Sequence, residues 1–173
     1  LLRNRNGVGE AELGLANEMA INHFIAHHSV IFQPGKKLMW VSTSPWQCGK
    51  YVAYDLNKIF SDSIDFSHEI HTEPLTLAAD SFLQQREYQQ LLIYKELIPV
   101  LRKHIKKKER LDEQTLHAFQ HANPHFFYVY ELLGDYYHAT GQQDKAIRNW
   151  KKALSLPIPK RSESERIEHK INN

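Results

Sequence analysis

The feature that most constrains this 173-residue chain is a run of small and aromatic residues at fixed spacings between Phe127 and Lys160. Almost everything after residue 75 has the apolar period of a helix, so the run falls on helices. Counted from Phe127, its members stand at places 4, 7, 8, 11, 15, 20, 24 and 27; they are Tyr130, Leu133, Gly134, Tyr137, Gly141, Ala146, Trp150 and Ala153. The spacing predicts two helices joined by a short turn.

This run resembles the tetratricopeptide repeat, a helix–turn–helix unit of 34 residues. That repeat has aromatic-Leu-Gly-aromatic in its first helix and Ala-aromatic-Ala in its second. Only the prolines depart slightly, at places 31 and 33. The resemblance implies a packing seam in which Gly134 and Ala146 are small where the helices cross, with the aromatic residues filling the space around them. Gly141 then supplies the positive φ that closes the first helix.

Two roles for the helical region stay open at this point. Tetratricopeptide arrays bind peptides in a concave groove, but about three repeats are needed to form one, and a single repeat is recognisable here. Further helices are predicted at 80–110, 112–121 and 162–171. In a protein-interaction module, these helices would be degenerate repeats that stack on the recognisable one. In the alternative, the helical region only buttresses a domain. Pro99 is expected to kink or split the helix at 80–110.

Before residue 75, short segments alternate with turn signals. A helix is predicted over about Glu10–Ile25, with an apolar face formed by Leu15, Ala16, Met19, Ala20 and Phe24. Strands are predicted at 28–32, 37–42 and 50–56. The Pro34-Gly35 pair between the first two is typical of a type II turn, which predicts a β-hairpin.

The predicted strands alone make a sheet with an unpaired edge. We therefore expect them to pair with an upstream part of the same protein or with another copy. A protein partner for the helical tail is the second expected interaction.

Four segments of the N-terminal part carry a family resemblance: Gly14–Glu18, Ala20–Asn22, His27–Phe32 and Trp40–Ser42. Over about Leu1–Leu56, their order resembles the C-terminal end of the catalytic domain in the penicillin acyltransferase-like family. These are N-terminal-nucleophile proteins related to choloylglycine hydrolase, and a helical tail like this one is similar to that of some bacterial members. The resemblance implies an αββα sandwich that cleaves or transfers an acyl group at an amide or thioester bond.

The nucleophile implied by this resemblance is a cysteine at the start of the mature catalytic chain, where its own α-amine serves as base. Here the first residue is Leu1, and Cys48 lies inside a loop. The catalytic cysteine is therefore expected in an upstream segment, and this chain alone is expected to be inactive. Asn17, His28 and Ser29 are the polar residues considered for the pocket, each with a structural role as the first expectation.

The chain is thus predicted to be α+β. Residues 1–74 are the C-terminal part of an N-terminal-nucleophile-type sandwich, with a helix plus hairpin and strands. Residues 75–173 form an all-α domain with a tetratricopeptide-like repeat at 127–160.

Several other kinds of site are not expected. The single cysteine excludes a disulfide framework and a Cys-rich zinc site, and Cys48 has no residue at a spacing that forces a base beside it. Adjacent His27 and His28 point to opposite faces of a strand, while His23 and His27 lack the glutamate of the metalloprotease motif. No glycine-rich phosphate loop is present either. From these patterns together we expect no metal site and no cofactor.

Charge and hydropathy limit the partners. The formal net charge is +2, which gives no reason to expect a polyanion. The basic run at 102–110 is interpreted as the solvated C-terminal end of a helix, where cations complement the helix dipole, and no nucleic-acid partner is expected. No apolar run approaches the roughly 18 residues of a membrane span.

Overall fold

The structure is a computed structural model that describes residues 1–61, 65, 67 and 69–172. Its described residues form a three-stranded antiparallel sheet and six α-helices, which confirms the α+β class. The chain divides into two compact units. The sheet unit comprises Leu1–Asn4 and Phe24–Gln84, and the helical unit comprises Arg5–His23 and Gln85–Asn173. The sequence predicted a single boundary after residue 74. In the structure, residues 5–23 cluster with the helices and residues 75–84 cluster with the sheet.

The sheet contains β1 (Val30–Gln33), β2 (Leu38–Ser42) and β3 (Tyr51–Asp55) in the order β1-β2-β3. β1 pairs with β2 from Val30 opposite Val41 to Gln33 opposite Leu38. All three strands lie where the β-branched and aromatic segments predicted them. The predicted hairpin is confirmed.

The connection between β1 and β2 is not the predicted type II turn. Because Gln33 pairs with Leu38, four residues form the loop. Pro34–Lys36 make one turn of 3-10 helix, and Lys37 takes the left-handed conformation with φ 52°. The Lys37 N–H donates to the Pro34 carbonyl at 3.0 Å. The positive φ that a type II turn would give to Gly35 therefore occurs two residues later.

The outer edge of β3 is partly covered by the chain that follows it. Tyr51 and Leu77 exchange both backbone hydrogen bonds, at 3.0 and 2.9 Å. Between them come the short helix α1 (Leu56–Ile59) and a 3-10 turn at Glu73–Leu75. The predicted irregular stretch 57–74 lies partly outside the described residues.

An aromatic cluster forms the core of the sheet unit. The Phe24 ring meets Trp46 edge-on at 5.7 Å between centroids and lies 5.5 Å from Phe82. Ala53 in β3 is fully buried. These contacts join the loop after β2 to the segment that precedes the helices.

The helix predicted over Glu10–Ile25 is wrong. Gly14, Ala16 and Phe24 have φ of 74°, 69° and 54°. Since left-handed residues cannot continue a right-handed helix, the segment is irregular. Met19, predicted to lie on an apolar face, is 52% exposed.

The helical unit contains α2 (Arg86–Lys107), α3 (Glu113–Ala122), α4 (Phe127–Ala139), α5 (Gln143–Leu154) and α6 (Arg161–Asn172). The sequence predicted these helices to within a few residues, except at the start of α2. There Ser81–Gln84 form a separate 3-10 turn, and the α-helix begins only at Arg86. Of the two predicted effects of Pro99, a kink or a split, the split does not occur, because α2 is continuous through Pro99.

Helix caps and aromatic packing hold the helical unit together. The Asp112 carboxylate caps α3 by accepting the Thr115 N–H at 2.8 Å, and this bond lowers the pKa of Asp112. Tyr94 of α2 stacks on Phe119 of α3 at 5.4 Å and meets Phe126 edge-on. Both Tyr94 and Phe119 are buried, and burial raises the pKa of Tyr94 far above its usual range.

Candidate functional site

Three hydroxyl groups meet at one end of the sheet. The Ser29 N–H donates to Ser42 Oγ at 2.7 Å, and the Ser42 N–H donates back to the Ser29 carbonyl at 2.9 Å. Ser29 Oγ shares a short hydrogen bond with the Tyr51 hydroxyl. Ser42 and Tyr51 are buried and stand opposite each other in the register of β2 and β3. We call Ser29, Ser42 and Tyr51 the hydroxyl cluster.

Arg3 lies over the Tyr51 ring, with its guanidinium carbon 5.4 Å from the ring centroid. The same guanidinium donates to the carbonyls of Gly49 and Ala78 at 2.9 and 2.8 Å. Arg3 therefore ties three segments of the sheet unit to the hydroxyl cluster.

An apolar cavity of about 390 Å³ adjoins Tyr51. It is lined by Leu1, Leu2, Arg3, Ile31, Tyr51 and Leu77. A cavity with an apolar wall and a few polar groups is suited to hold an apolar chain with one polar end.

The hydroxyl cluster does not have the arrangement of an activated serine nucleophile. A serine nucleophile needs a base, such as an imidazole, hydrogen-bonded to its oxygen. The hydrogen-bond partner of Ser29 Oγ is instead a phenol. His28, the neighbouring candidate, is exposed.

Asn17 lies in the other compact unit and is fully buried. Its Nδ2 donates to the carbonyls of Leu13 and Pro157, both at 3.1 Å, while its Oδ1 accepts the Met19 N–H at 3.0 Å. Its amide thus shapes the irregular segment and ties it to the chain after α5.

Cys48 is a buried cysteine in the loop between β2 and β3. Its N–H donates to the Pro45 carbonyl at 3.0 Å, and its carbonyl accepts the Asp80 N–H at 2.7 Å. This thiol is enclosed by the protein, as expected for a small apolar core residue.

The residues predicted to form a packing seam lie on α4 and α5, which pack against each other. A Cβ atom at Gly134 would overlap the Trp150 indole, so only glycine allows this approach. Ala146 and Ala153 are fully buried, and Leu133, Tyr130 and Trp150 are nearly so.

Tyr137 and Gly141 lie at the rim of this seam. Tyr137 is half-buried, and Lys145 Nζ lies 5.2 Å from its ring centroid. Gly141 has φ 77°, and the Gln142 N–H beside it donates to the Tyr137 carbonyl at 2.8 Å. That pattern of bonds closes a helix with a left-handed glycine, as predicted.

A network of charges joins α4 to α6. Arg166 donates to both Glu131 oxygens at 2.9 and 2.8 Å. Lys170 Nζ donates to Glu131 at 2.7 Å and to both Asp135 oxygens at 2.8 Å. Trp150 of α5 donates its indole N–H to Asp135 at 3.0 Å. Burial raises the pKa of Glu131, but its hydrogen bonds from Arg166 and Lys170 outweigh this and hold that pKa below its usual value.

A small groove of about 190 Å³ lies between α3 and α4. It is lined by Glu113, Leu116, His117, Gln120, Leu133 and Tyr137. The groove has an apolar floor and a polar rim, which suits a side chain of a bound peptide.

Sequence reasoning named Ser29 as a pocket candidate but did not name the residues that contact it. The usable signal was the register of the strands: a hairpin between β1 and β2 places Ser29 opposite Ser42. The next pairing places Ser42 opposite Tyr51. Arg3 carries no such signal, because its hydrogen-bond partners lie 46 and 75 residues away along the chain. The same holds for the charge network, in which the partners of Glu131 lie 35 and 39 residues away.

No family model, no curated protein and no solved structure matches this chain. The resemblance to the penicillin acyltransferase-like family therefore stays a prediction. Among the described residues, no group of three or more His, Cys, Asp or Glu is arranged to hold a metal ion. None of the helices in the described part of the chain has the length and apolar character to cross a bilayer.

Proposed function

We propose that this chain is the C-terminal part of an acyltransferase or amidohydrolase that acts on amide or thioester bonds, with its catalytic cysteine in an upstream segment. The observation that carries the proposal is that β1 is an edge strand, with no strand paired to its outer side in the described part of the chain. The bond from the Ser42 N–H to the Ser29 carbonyl fixes the alternation of the β1–β2 ladder. That alternation turns the N–H groups of Val30 and Phe32 to the outer edge.

The side chains on this edge support the same proposal. Phe32 is 62% exposed and Val30 is 40% exposed. An edge strand with exposed apolar side chains favours pairing with a further strand. A larger sandwich, such as the family resemblance implies, would supply that strand.

The hydroxyl cluster and its cavity fit the proposal as a binding element. The cavity wall suits the acyl part of a substrate, and the Tyr51 hydroxyl and the Arg3 guanidinium lie beside it. Neither group is placed to act as a nucleophile, so the chemistry is assigned to the upstream cysteine and its own amine.

Turnover tests this proposal. The purified chain and its Cys48→Ala variant should both be inactive on a panel of thioesters and acylated amines. A longer polypeptide that begins at an upstream cysteine should be active, and should lose activity when that cysteine becomes alanine. Turnover by the chain alone that disappears with Cys48→Ala would contradict the proposal, as would an inactive longer polypeptide.

A second candidate function concerns the helical unit alone. We infer that α4 and α5 form a tetratricopeptide-like pair that contacts a protein partner. The approach of Gly134 to Trp150 and the left-handed Gly141 support this assignment. The groove between α3 and α4 offers a place for a peptide side chain.

Peptide selection tests the second candidate. Peptides selected on the whole chain should bind a Gln120→Arg variant more weakly, because the new side chain fills the rim of the groove. A Glu168→Arg variant on the exposed side of α6 serves as the matched control. Equal binding to wild type and to Gln120→Arg would exclude the groove, and failure to select any peptide would count against the function.

A further inference from the structure

Two histidines on α3 lie against each other on the exposed side of the helix. His117 and His121 are four residues apart, so they share one face. Their rings stack with 3.7 Å between centroids and 22° between planes. Both side chains are exposed, so an ion from solvent can reach them.

A backbone contact sets the orientation of one ring. His121 Nδ1 lies 3.0 Å from the His117 carbonyl oxygen. Since a carbonyl can only accept, Nδ1 carries the proton, and the neutral ring keeps its lone pair on Nε2. A histidine that donates one ring N–H to a carbonyl and presents the other nitrogen has the arrangement found in metal ligands.

We propose that His117 and His121 form a two-ligand binding site for a divalent transition-metal ion of the zinc, nickel and copper class. Neutral imidazole suits these metals, whereas magnesium and calcium prefer oxygen ligands. A metal–nitrogen distance of about 2.0–2.1 Å in a tetrahedral shell separates two ligand nitrogens by about 3.3 Å. Side chains four residues apart on a helix are neighbours, and turning the exposed His117 ring out of the stack lets the two Nε2 atoms converge on one ion. Water completes the coordination shell.

The opposite face of α3 holds the two ligands in place. Leu116 and Phe119 are buried there, with Phe119 stacked on Tyr94. The Asp112 cap fixes the start of the helix. The rigid helix backbone already places both histidines on one face, so metal binding loses little conformational entropy. Binding to this pair is therefore more favourable than binding to two histidines on a loop.

The site lies beside the groove between α3 and α4, since His117 is also one of the groove's lining residues. A metal held by this pair adds a positive charge at the groove's rim. Glu113, one turn before His117, lines the same groove.

Calorimetric titration of the whole chain with Ni²⁺ tests the site. Wild type should bind one ion per chain, and Mg²⁺ should not compete. His117→Ala and His121→Ala should each weaken binding by about tenfold or more, because one of two ligands is lost. Both substitutions replace an exposed side chain with a better helix former, so circular dichroism should be unchanged.

His138→Ala is the matched control. His138 is exposed on α4, and its Nδ1 is hydrogen-bonded to Gln143 at 2.8 Å. This variant should bind Ni²⁺ like wild type. Unchanged affinity in both His117→Ala and His121→Ala would overturn the proposal, and so would the absence of Ni²⁺ binding by the wild-type chain at millimolar concentration.

A spectroscopic measurement locates the ion independently. Substoichiometric Cu²⁺ should broaden the imidazole resonances of His117 and His121 before those of the other histidines. Broadening that begins elsewhere would contradict the proposed site.

Discussion

Gly134 and Glu131 lie close together on α4, and each connects this helix to a different neighbour. Gly134 contacts α5, whereas Glu131 contacts α6. Gly134 lets α5 approach, because a Cβ atom there would overlap the Trp150 ring. Glu131 is buried, and it accepts hydrogen bonds from two cations of α6. The sequence predicted Gly134, because a small residue between aromatic ones has a recognisable spacing. It did not predict the role of Glu131, since a glutamate in a helix is ordinarily on the solvated face.

The first residue-scale prediction concerns Gly134→Leu. This variant should lower the free energy of unfolding by about 1–3 kcal/mol, because the new side chain overpacks the seam. Urea denaturation measures the loss. A double-mutant cycle with Trp150→Leu provides the control: a smaller side chain at 150 should reduce the cost of Gly134→Leu. The same cost in both backgrounds would mean that the two residues do not meet.

The second residue-scale prediction concerns Glu131→Gln. It removes a buried charge that two cations hold, and should cost roughly 2 kcal/mol at pH 7. The pKa of Glu131 is lower in the folded chain than its ordinary value of 4.5. Its contribution is therefore fully present above about pH 4.5 and is lost as the pH falls through the folded pKa.

Thermal melts at pH 7 and pH 3 check this expectation. The difference in Tm between wild type and Glu131→Gln should shrink in acid. Glu168→Gln, an exposed glutamate of α6, is the matched control and should change little at either pH. A difference that is the same at both pH values would contradict the role given to the Glu131 carboxylate.

At the scale of elements, the local sequence pattern predicted the strands and helices correctly wherever local interactions determine the secondary structure. Strand alternation located β1, β2 and β3, and helical period located α3 to α6. The segment Glu10–Ile25 has a helical pattern too, but Gly14 is pressed against the backbone of Phe126, more than a hundred residues away. Asn17 bonds to Pro157 over a similar separation. Such distant contacts override a local preference and leave no trace in spacing.

Gly14→Ala tests this explanation of the irregular segment. A Cβ at Gly14 would lie 2.5 Å from the Phe126 nitrogen. Gly9 has a similar φ of 69° but no atom within 4 Å of its Cβ position. Both variants have the strain of a left-handed alanine, about 1–2 kcal/mol. Gly14→Ala should cost roughly 1–3 kcal/mol more, from overpacking. Equal unfolding free energies for the two variants would show that the close approach to Phe126 does not matter.

At the scale of the whole molecule, the α+β class followed from the change of pattern near residue 75. The division into units did not, because residues 5–23 precede the sheet in sequence but cluster with the helices. The candidate site was predicted only in part. Ser29 was named from the sequence, whereas Tyr51, Ser42 and Arg3 meet it only through pairing of strands and long-range contacts.

The central claim is that β1 is continued by a strand from an upstream part of the same protein. Amide hydrogen exchange tests it most directly, with Ile31 as an internal control. In the chain alone, the Val30 and Phe32 amides should exchange roughly tenfold or more faster than the Ile31 amide, which the ladder turns toward β2. In a longer polypeptide with the upstream segment, the Val30 and Phe32 rates should fall to that of Ile31. Rates for Val30 and Phe32 that stay fast in the longer polypeptide would contradict the account.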